Sequence, residues 1–131
     1  MPDIVICESD PSLLAILVVL LEDDGFVVTP YATSGALLLD LRLRRVRRAT
    51  VLFDYYDTTQ RHQDLFLPVL VNDPVLQRQH AYILMTTNPL SDATQDLLAR
   101  LHIAIVYKPF EIEDLLTTIR LAASPDMPSV A

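Results

Sequence analysis

The chain has 131 residues, 51% of them hydrophobic and 21% charged, with a formal net charge of -7. That length suits one domain whose core needs no disulfide or metal staple, and the apolar content excludes intrinsic disorder. A single cysteine excludes a disulfide framework and fits a reducing, cytoplasmic setting, while a pI near 4.7 argues against direct nucleic-acid binding by the chain as a whole.

In chain order, Ile4-Val5-Ile6-Cys7 is a short apolar run that stops at Glu8-Ser9-Asp10. Similar runs follow at Phe26-Val27-Val28, Thr50-Val51-Leu52-Phe53, Tyr82-Ile83-Leu84-Met85 and Ile103-Ala104-Ile105-Val106-Tyr107. Each is apolar throughout rather than alternating, as strands covered on both faces require. Leucine-rich stretches separate them. The first opens at Pro11-Ser12, with Asp10 or Ser12 as its cap, and ends near Gly25; the second runs from Ser34 to about Val46. A third covers Gln63 to Val71, a fourth runs from a Ser91 cap to His102, and a fifth covers Glu111 to Ala122, acidic at its start and basic at its end.

Five strands alternating with five helices predict right-handed βαβ units, hence an α/β doubly wound parallel sheet in a single domain over residues 1–123, with a loose tail over 124–131. The N-terminus lacks a signal-peptide pattern, and the longest apolar run, Leu13 to Leu21, has nine residues, about half a membrane span, so no membrane role is expected.

Sites in such sheets lie at the carboxyl ends of the strands. The residues to weigh there are Glu8, Ser9 and Asp10, then Asp54, then Thr86 and Thr87, then Lys108. Glu8, Asp10 and Asp54 would gather three carboxylates at one spot, a set whose oxygens suit Mg²⁺. Lys108 is the single lysine among ten basic residues. A compact ammonium on a flexible stem can follow a phosphoryl oxygen, and Thr86 adds a hydroxyl. A carboxylate nucleophile, metal ligands, a counter-charge and a hydroxyl together fit phosphoryl transfer onto an aspartate.

At these residues the chain resembles a response-regulator receiver domain. The resemblance rests on Ile4 to Ser12, on Val51-Leu52-Phe53-Asp54, on Ile83-Leu84-Met85-Thr86 and on Lys108-Pro109-Phe110, and it spans roughly residues 3 to 122. It implies a flavodoxin-like sheet of order 2-1-3-4-5 with Asp54 accepting phosphate from a sensor histidine kinase or phosphotransfer protein. It further implies that Thr86 and Lys108 contact the phosphoryl group and that the Lys108–Pro109 bond is cis. Glu8, Asp54 and the Tyr56 main-chain carbonyl would ligate Mg²⁺. The chain would not be an enzyme beyond taking phosphate from the kinase and losing it again. No output segment follows residue 122, so a stand-alone domain is expected to signal to a downstream protein through its fourth helix, fifth strand and fifth helix.

The chain departs from the family pattern at four places. Ser9 stands where a second acid is usual, which weakens the Mg²⁺ site. Thr87 replaces a small residue, the loop after Asp54 has neither proline nor glycine, and Ile105 stands where an aromatic switch residue is usual, with Tyr107 on the same side of the strand. Ser9, Thr87 and Ile105 favour the alternative of a phosphorylation-independent pseudo-receiver, an interaction module; Asp54, Thr86 and Lys108 oppose it. A phosphatase or nucleotide binder would need a glycine-rich phosphate loop, and the only glycines are Gly25 and Gly35.

Plainer roles exist for several residues. Asp10 suits a helix N-cap. The five arginines from Arg42 to Arg48 read as a solvated helix end before a nucleic-acid or acidic-partner face. The first helix is apolar nearly all round, which suits a buried element or a self-association surface and hence a homodimer. His62, His80 and His102 lack metal spacing, and Cys7 reads as a small core hydrophobe.

Overall fold

The fold is described from a computed structural model over residues 3–55, 66–87 and 89–123. Five parallel strands, β1 (Asp3–Cys7), β2 (Val27–Tyr31), β3 (Thr50–Asp54), β4 (Ala81–Thr86) and β5 (Ala104–Tyr107), form one sheet of order β2-β1-β3-β4-β5. Six helices connect them: α1 (Pro11–Asp23), α2 (Ser34–Arg42), α3 (Phe66–Val71), α4 (Pro74–Gln79), α5 (Asp92–Arg100) and α6 (Ile112–Ala123). The fold class and the strand order are those expected.

The continuous apolar runs have their physical counterpart in two cores. Successive strand residues point to opposite faces, and here both faces are covered. Val5, Val51, Phe53, Tyr82 and Leu84 pack on the face carrying Leu37 and Leu41 of α2, Phe66 and Leu70 of α3, Leu76 of α4 and Leu98 of α5. Ile4, Ile6, Leu52, Ile83 and Met85 pack on the other, against Leu17 and Leu21 of α1 and Leu115 and Ile119 of α6. Cys7 is buried in the first core. Helix α1 buries one stripe and leaves Ile16, Val19 and Leu20 exposed.

Three helix ends share one hydrogen-bond pattern. After α1, Gly25 N–H bonds to Glu22 and Phe26 N–H bonds back to Leu21; after α2, Arg44 bonds to Leu41 and Arg45 to Asp40; after α5, His102 bonds to Ala99 and Ile103 to Leu98. In each, the first donor residue adopts a left-handed φ, +96° at Gly25, +57° at Arg44 and +58° at His102. These are Schellman ends, a place where glycine is favoured because it carries no Cβ. Helix α2 therefore stops at Arg42 rather than near Val46. The five arginines from Arg42 to Arg48 are exposed, and Arg42, Arg45 and Arg47 lie 3.8, 3.3 and 3.4 Å from Asp73, Asp40 and Asp3.

One helix was not expected. The third helix, read as Gln63 to Val71, is described from Phe66, and a separate α4 follows at Pro74. The proline holds Asp73 out of the helical region, at φ -127° and ψ 88°, and Asp73 Oδ1 accepts from Leu76 N–H at 3.1 Å, so one helix ends and a capped one begins. The edge strand β2 runs through Pro30, a residue tolerated there because its missing N–H breaks no ladder. No helix among the described residues is long and apolar enough to cross a membrane.

Buried His80 sits under the start of β4, where its Nδ1 accepts from Ala49 N–H at 3.1 Å. Burial, reinforced by the Arg48 charge, holds its pKa below the ordinary 6.5. The unfolded chain therefore takes up a proton near pH 6.5 that the folded chain refuses, and stability must fall as pH drops through that value. Urea midpoints measured from about pH 7 to about 5.5 are expected to decline, with a shallower slope in His80→Ala. That variant also leaves Ala49 N–H without its acceptor and should be about 1–3 kcal/mol less stable at neutral pH. Equal slopes in the two proteins would refute the assignment.

Candidate functional site

The chain reverses its winding between β1 and β3, so their carboxyl ends flank the crevice where doubly wound sheets place sites. The register aligns Cys7 with Phe53, which brings Glu8 and Asp54 to the same level just beyond. Asp54 pairs with Met85, and Tyr55 N–H closes the strand by donating to Met85 O at 2.9 Å. Thr86 pairs with Tyr107, and Thr86 O accepts from Lys108 N–H at 2.7 Å. Four strand ends thus deliver Glu8, Asp54, Thr86 and Lys108 to one edge.

The contacts there form a chain. Lys108 Nζ donates to Glu8 Oε1, in an ion pair whose side chains are only 9% and 0% exposed. Glu8 Oε2 accepts from Asp10 N–H at 2.9 Å and is reached by Ser9 Oγ at 3.5 Å. Ser9 then turns to Asp54: its N–H and its Oγ lie 3.1 and 2.5 Å from Asp54 Oδ2. A buried carboxylate needs both a cation and hydrogen bonds to offset its lost hydration, and Glu8 has both. Thr86 is fully buried at the end of β4, and Thr87 is exposed. The Lys108–Pro109 peptide is cis.

Asp10 does not join the cluster. Its Oδ1 accepts from Ser12 and Leu13 N–H at 2.9 and 3.3 Å, so it caps α1 and the gathering of three carboxylates is reduced to two, Glu8 and Asp54. Ser9, read in the sequence only as a missing acid, is the residue that grips Asp54. The alternation of acid and hydroxyl in Glu8-Ser9-Asp10 gave no sign of which of the three would turn inward. Ile105 is half-buried and Tyr107 is 47% exposed.

A Mg²⁺ ion prefers several hard oxygen donors in near-octahedral array. Among the described residues no three Asp, Glu, His or Cys side chains come together as such a group. Glu8 directs one oxygen to the Lys108 ammonium and the other to the Asp10 N–H, so both of its oxygens are engaged within the protein. Within the described residues, two engaged carboxylates are by themselves too few donors for a Mg²⁺ site. Tyr56, the expected main-chain ligand, lies outside the described residues, as do His62 and the expected tail 124–131.

No protein-family model matches the chain, and no curated protein matches it in sequence. Solved structures do match in shape. A CheY-like response regulator receiver domain protein from Methanospirillum hungatei superposes with a TM-score of 0.69 at 21% identity, covering 90% of each chain. Chemotaxis protein CheY4 of Vibrio cholerae gives 0.72 at 17% identity, covering 93% of this chain and 98% of that one. The BeF3-activated N-terminal receiver domain of RstA from Klebsiella pneumoniae gives 0.69 at 20% identity, covering 92% and 97%. Five parallel strands in the order 2-1-3-4-5, wrapped by helices on both faces, are the CheY-like receiver fold, and this chain has it.

Proposed function

We propose that the chain works as a receiver module: Asp54 takes a phosphoryl group from the phosphohistidine of a sensor kinase or phosphotransfer protein, and the domain signals through protein contacts. The observation that supports this most is the continuous contact chain from Asp54 through Ser9 and Glu8 to Lys108 at the carboxyl edge of a receiver fold. In the step proposed, an Asp54 carboxylate oxygen bonds to phosphorus while the phosphorus–nitrogen bond breaks and its electron pair leaves with the imidazole. Little covalent chemistry falls to the protein, so positioning and charge carry the catalysis. The Lys108 ammonium has three donors, so it can stay on Glu8 and still donate to a phosphoryl oxygen; the Thr86 hydroxyl is assigned a second such contact. The reading takes Asp54, Thr86 and Lys108 as the reacting set.

Intact mass of wild type and of Asp54→Asn after incubation with acetyl phosphate and Mg²⁺ tests this. A gain of one phosphoryl group on wild type alone is the expected result. No adduct, together with no beryllium fluoride complex, would overturn it and leave a phosphorylation-independent interaction module.

A further inference from the structure

We infer that Ser9 sets the lifetime of the phosphoryl group on Asp54 by stabilising the carboxylate as it is released. The inference rests on the reading of Asp54 as phosphoryl acceptor and adds a residue that acts on the reacting carboxylate.

Both Ser9 donors converge on one oxygen, Oδ2, with N–H at 3.1 Å and Oγ at 2.5 Å. An ionised carboxylate can only accept, so the Ser9 hydroxyl is the donor in that contact. Neither bond falls on Oδ1. The phosphoryl group therefore enters on Oδ1, and Oδ2 becomes the carbonyl oxygen of the acyl phosphate, still facing both Ser9 donors. On hydrolysis a water oxygen bonds to phosphorus and the phosphorus–Oδ1 bond breaks. Its electron pair returns to the Asp54 carboxylate, and the water proton passes to the phosphate or to solvent.

Phosphoryl transfer runs through a loose transition state in which the leaving oxygen already carries much of its charge. A hydrogen bond to a charged acceptor is roughly twice as strong as one to a neutral acceptor. Both Ser9 bonds therefore tighten as the carboxylate leaves, and tightening toward the transition state is what raises a rate. Metal ions serve the same end elsewhere by neutralising developing charge, but Glu8 is engaged by Lys108 and Asp10 caps α1. The position that carries no acid thus supplies two fixed dipoles in place of a ligand. Ser9 is exposed, so removing its hydroxyl opens no cavity.

The test follows adduct decay by intact mass once acetyl phosphate has been removed. Ser9→Ala is expected to lose the phosphoryl group about fivefold more slowly than wild type, from the difference between charged and neutral hydrogen bonds. Ser9→Thr keeps the hydroxyl and is expected to decay near the wild-type rate, with all three proteins melting alike. An adduct seen only on Ser9→Ala, because the wild-type form decays too fast to observe, supports the inference as well. Equal decay of Ser9→Ala and wild type, or decay of Ser9→Thr as slow as that of Ser9→Ala, would overturn it while leaving Asp54 as acceptor. If neither wild type nor Ser9→Ala forms an adduct or a beryllium fluoride complex, the acceptor reading fails and this inference falls with it.

Discussion

Replacing Lys108 with methionine is expected to destabilise the fold by about 3–5 kcal/mol, the usual loss when one member of a buried ion pair is removed. The side chains of Glu8 and Lys108 are 0% and 9% exposed, so water cannot take over the missing charge. A domain has only about 5–15 kcal/mol of net stability, so a large share would go. The loss comes from the carboxylate stranded on Glu8 rather than from the net worth of the pair. Neutralising that carboxylate in the same protein should therefore restore much of it. Urea unfolding of Lys108→Met, Glu8→Gln and the double variant is the measurement. The double variant is expected to be more stable than Lys108→Met alone, with a coupling of about 1–3 kcal/mol between the two sites. A Lys108→Met protein within about 1 kcal/mol of wild type, or strict additivity, would remove the ion pair from the account. The result bears on function, because it separates what Lys108 does for the fold from what it does for phosphoryl transfer. A folded double variant that no longer forms the Asp54 adduct, beside a Glu8→Gln protein that still does, would assign the ammonium a chemical role.

Much of this architecture is legible in the residues because it follows from burial. Runs such as Val51-Leu52-Phe53 are apolar without alternation, and the two cores give each residue of the run a covered face to occupy. Helix ends are legible where the left-handed residue is glycine. Gly25 marks the end of α1, whereas Arg44 and His102 hold the same conformation without a chemical signature, and for that reason α2 reads too long in the sequence. The start of α4 has a signature in Asp73-Pro74, a capping residue before a first-turn proline, which the leucine pattern of the preceding stretch overrides. The site divides in the same way. The place of Glu8, Asp54, Thr86 and Lys108 follows from strand ends and a parallel register. What lies beyond the sequence is which partner each finds: Glu8 binding Lys108, Asp10 turning to cap α1, and Ser9 turning to Asp54 depend on the path of three residues between β1 and α1.

The second large effect is expected at Phe53, the residue that precedes Asp54 on β3. It is 1% exposed, and its ring centroid lies 4.5 Å from that of Phe66, which in turn lies 6.2 Å from Tyr82. Truncation to alanine removes the ring from the middle of the sheet, leaves a cavity between β3 and α3, and takes away the ring packed against Phe66. Phenylalanine-to-alanine changes in well-packed cores lose about 3–5 kcal/mol, and loss of the aromatic pair accounts for about 0.5–1.5 kcal/mol beyond area burial. Phe53→Leu keeps much of the volume and should lose less than half as much. Successive strand side chains point to opposite faces, so the cavity opens on the side of the sheet away from the one Asp54 faces. Below its melting temperature, Phe53→Ala is therefore expected to keep the Ser9 contacts to Asp54 and to form the phosphoryl adduct at close to the wild-type rate. A loss of stability under about 1 kcal/mol would contradict the packing on this face. A folded Phe53→Ala protein that cannot form the adduct would instead mean that the first core, and not the strand ends alone, holds Asp54 in place.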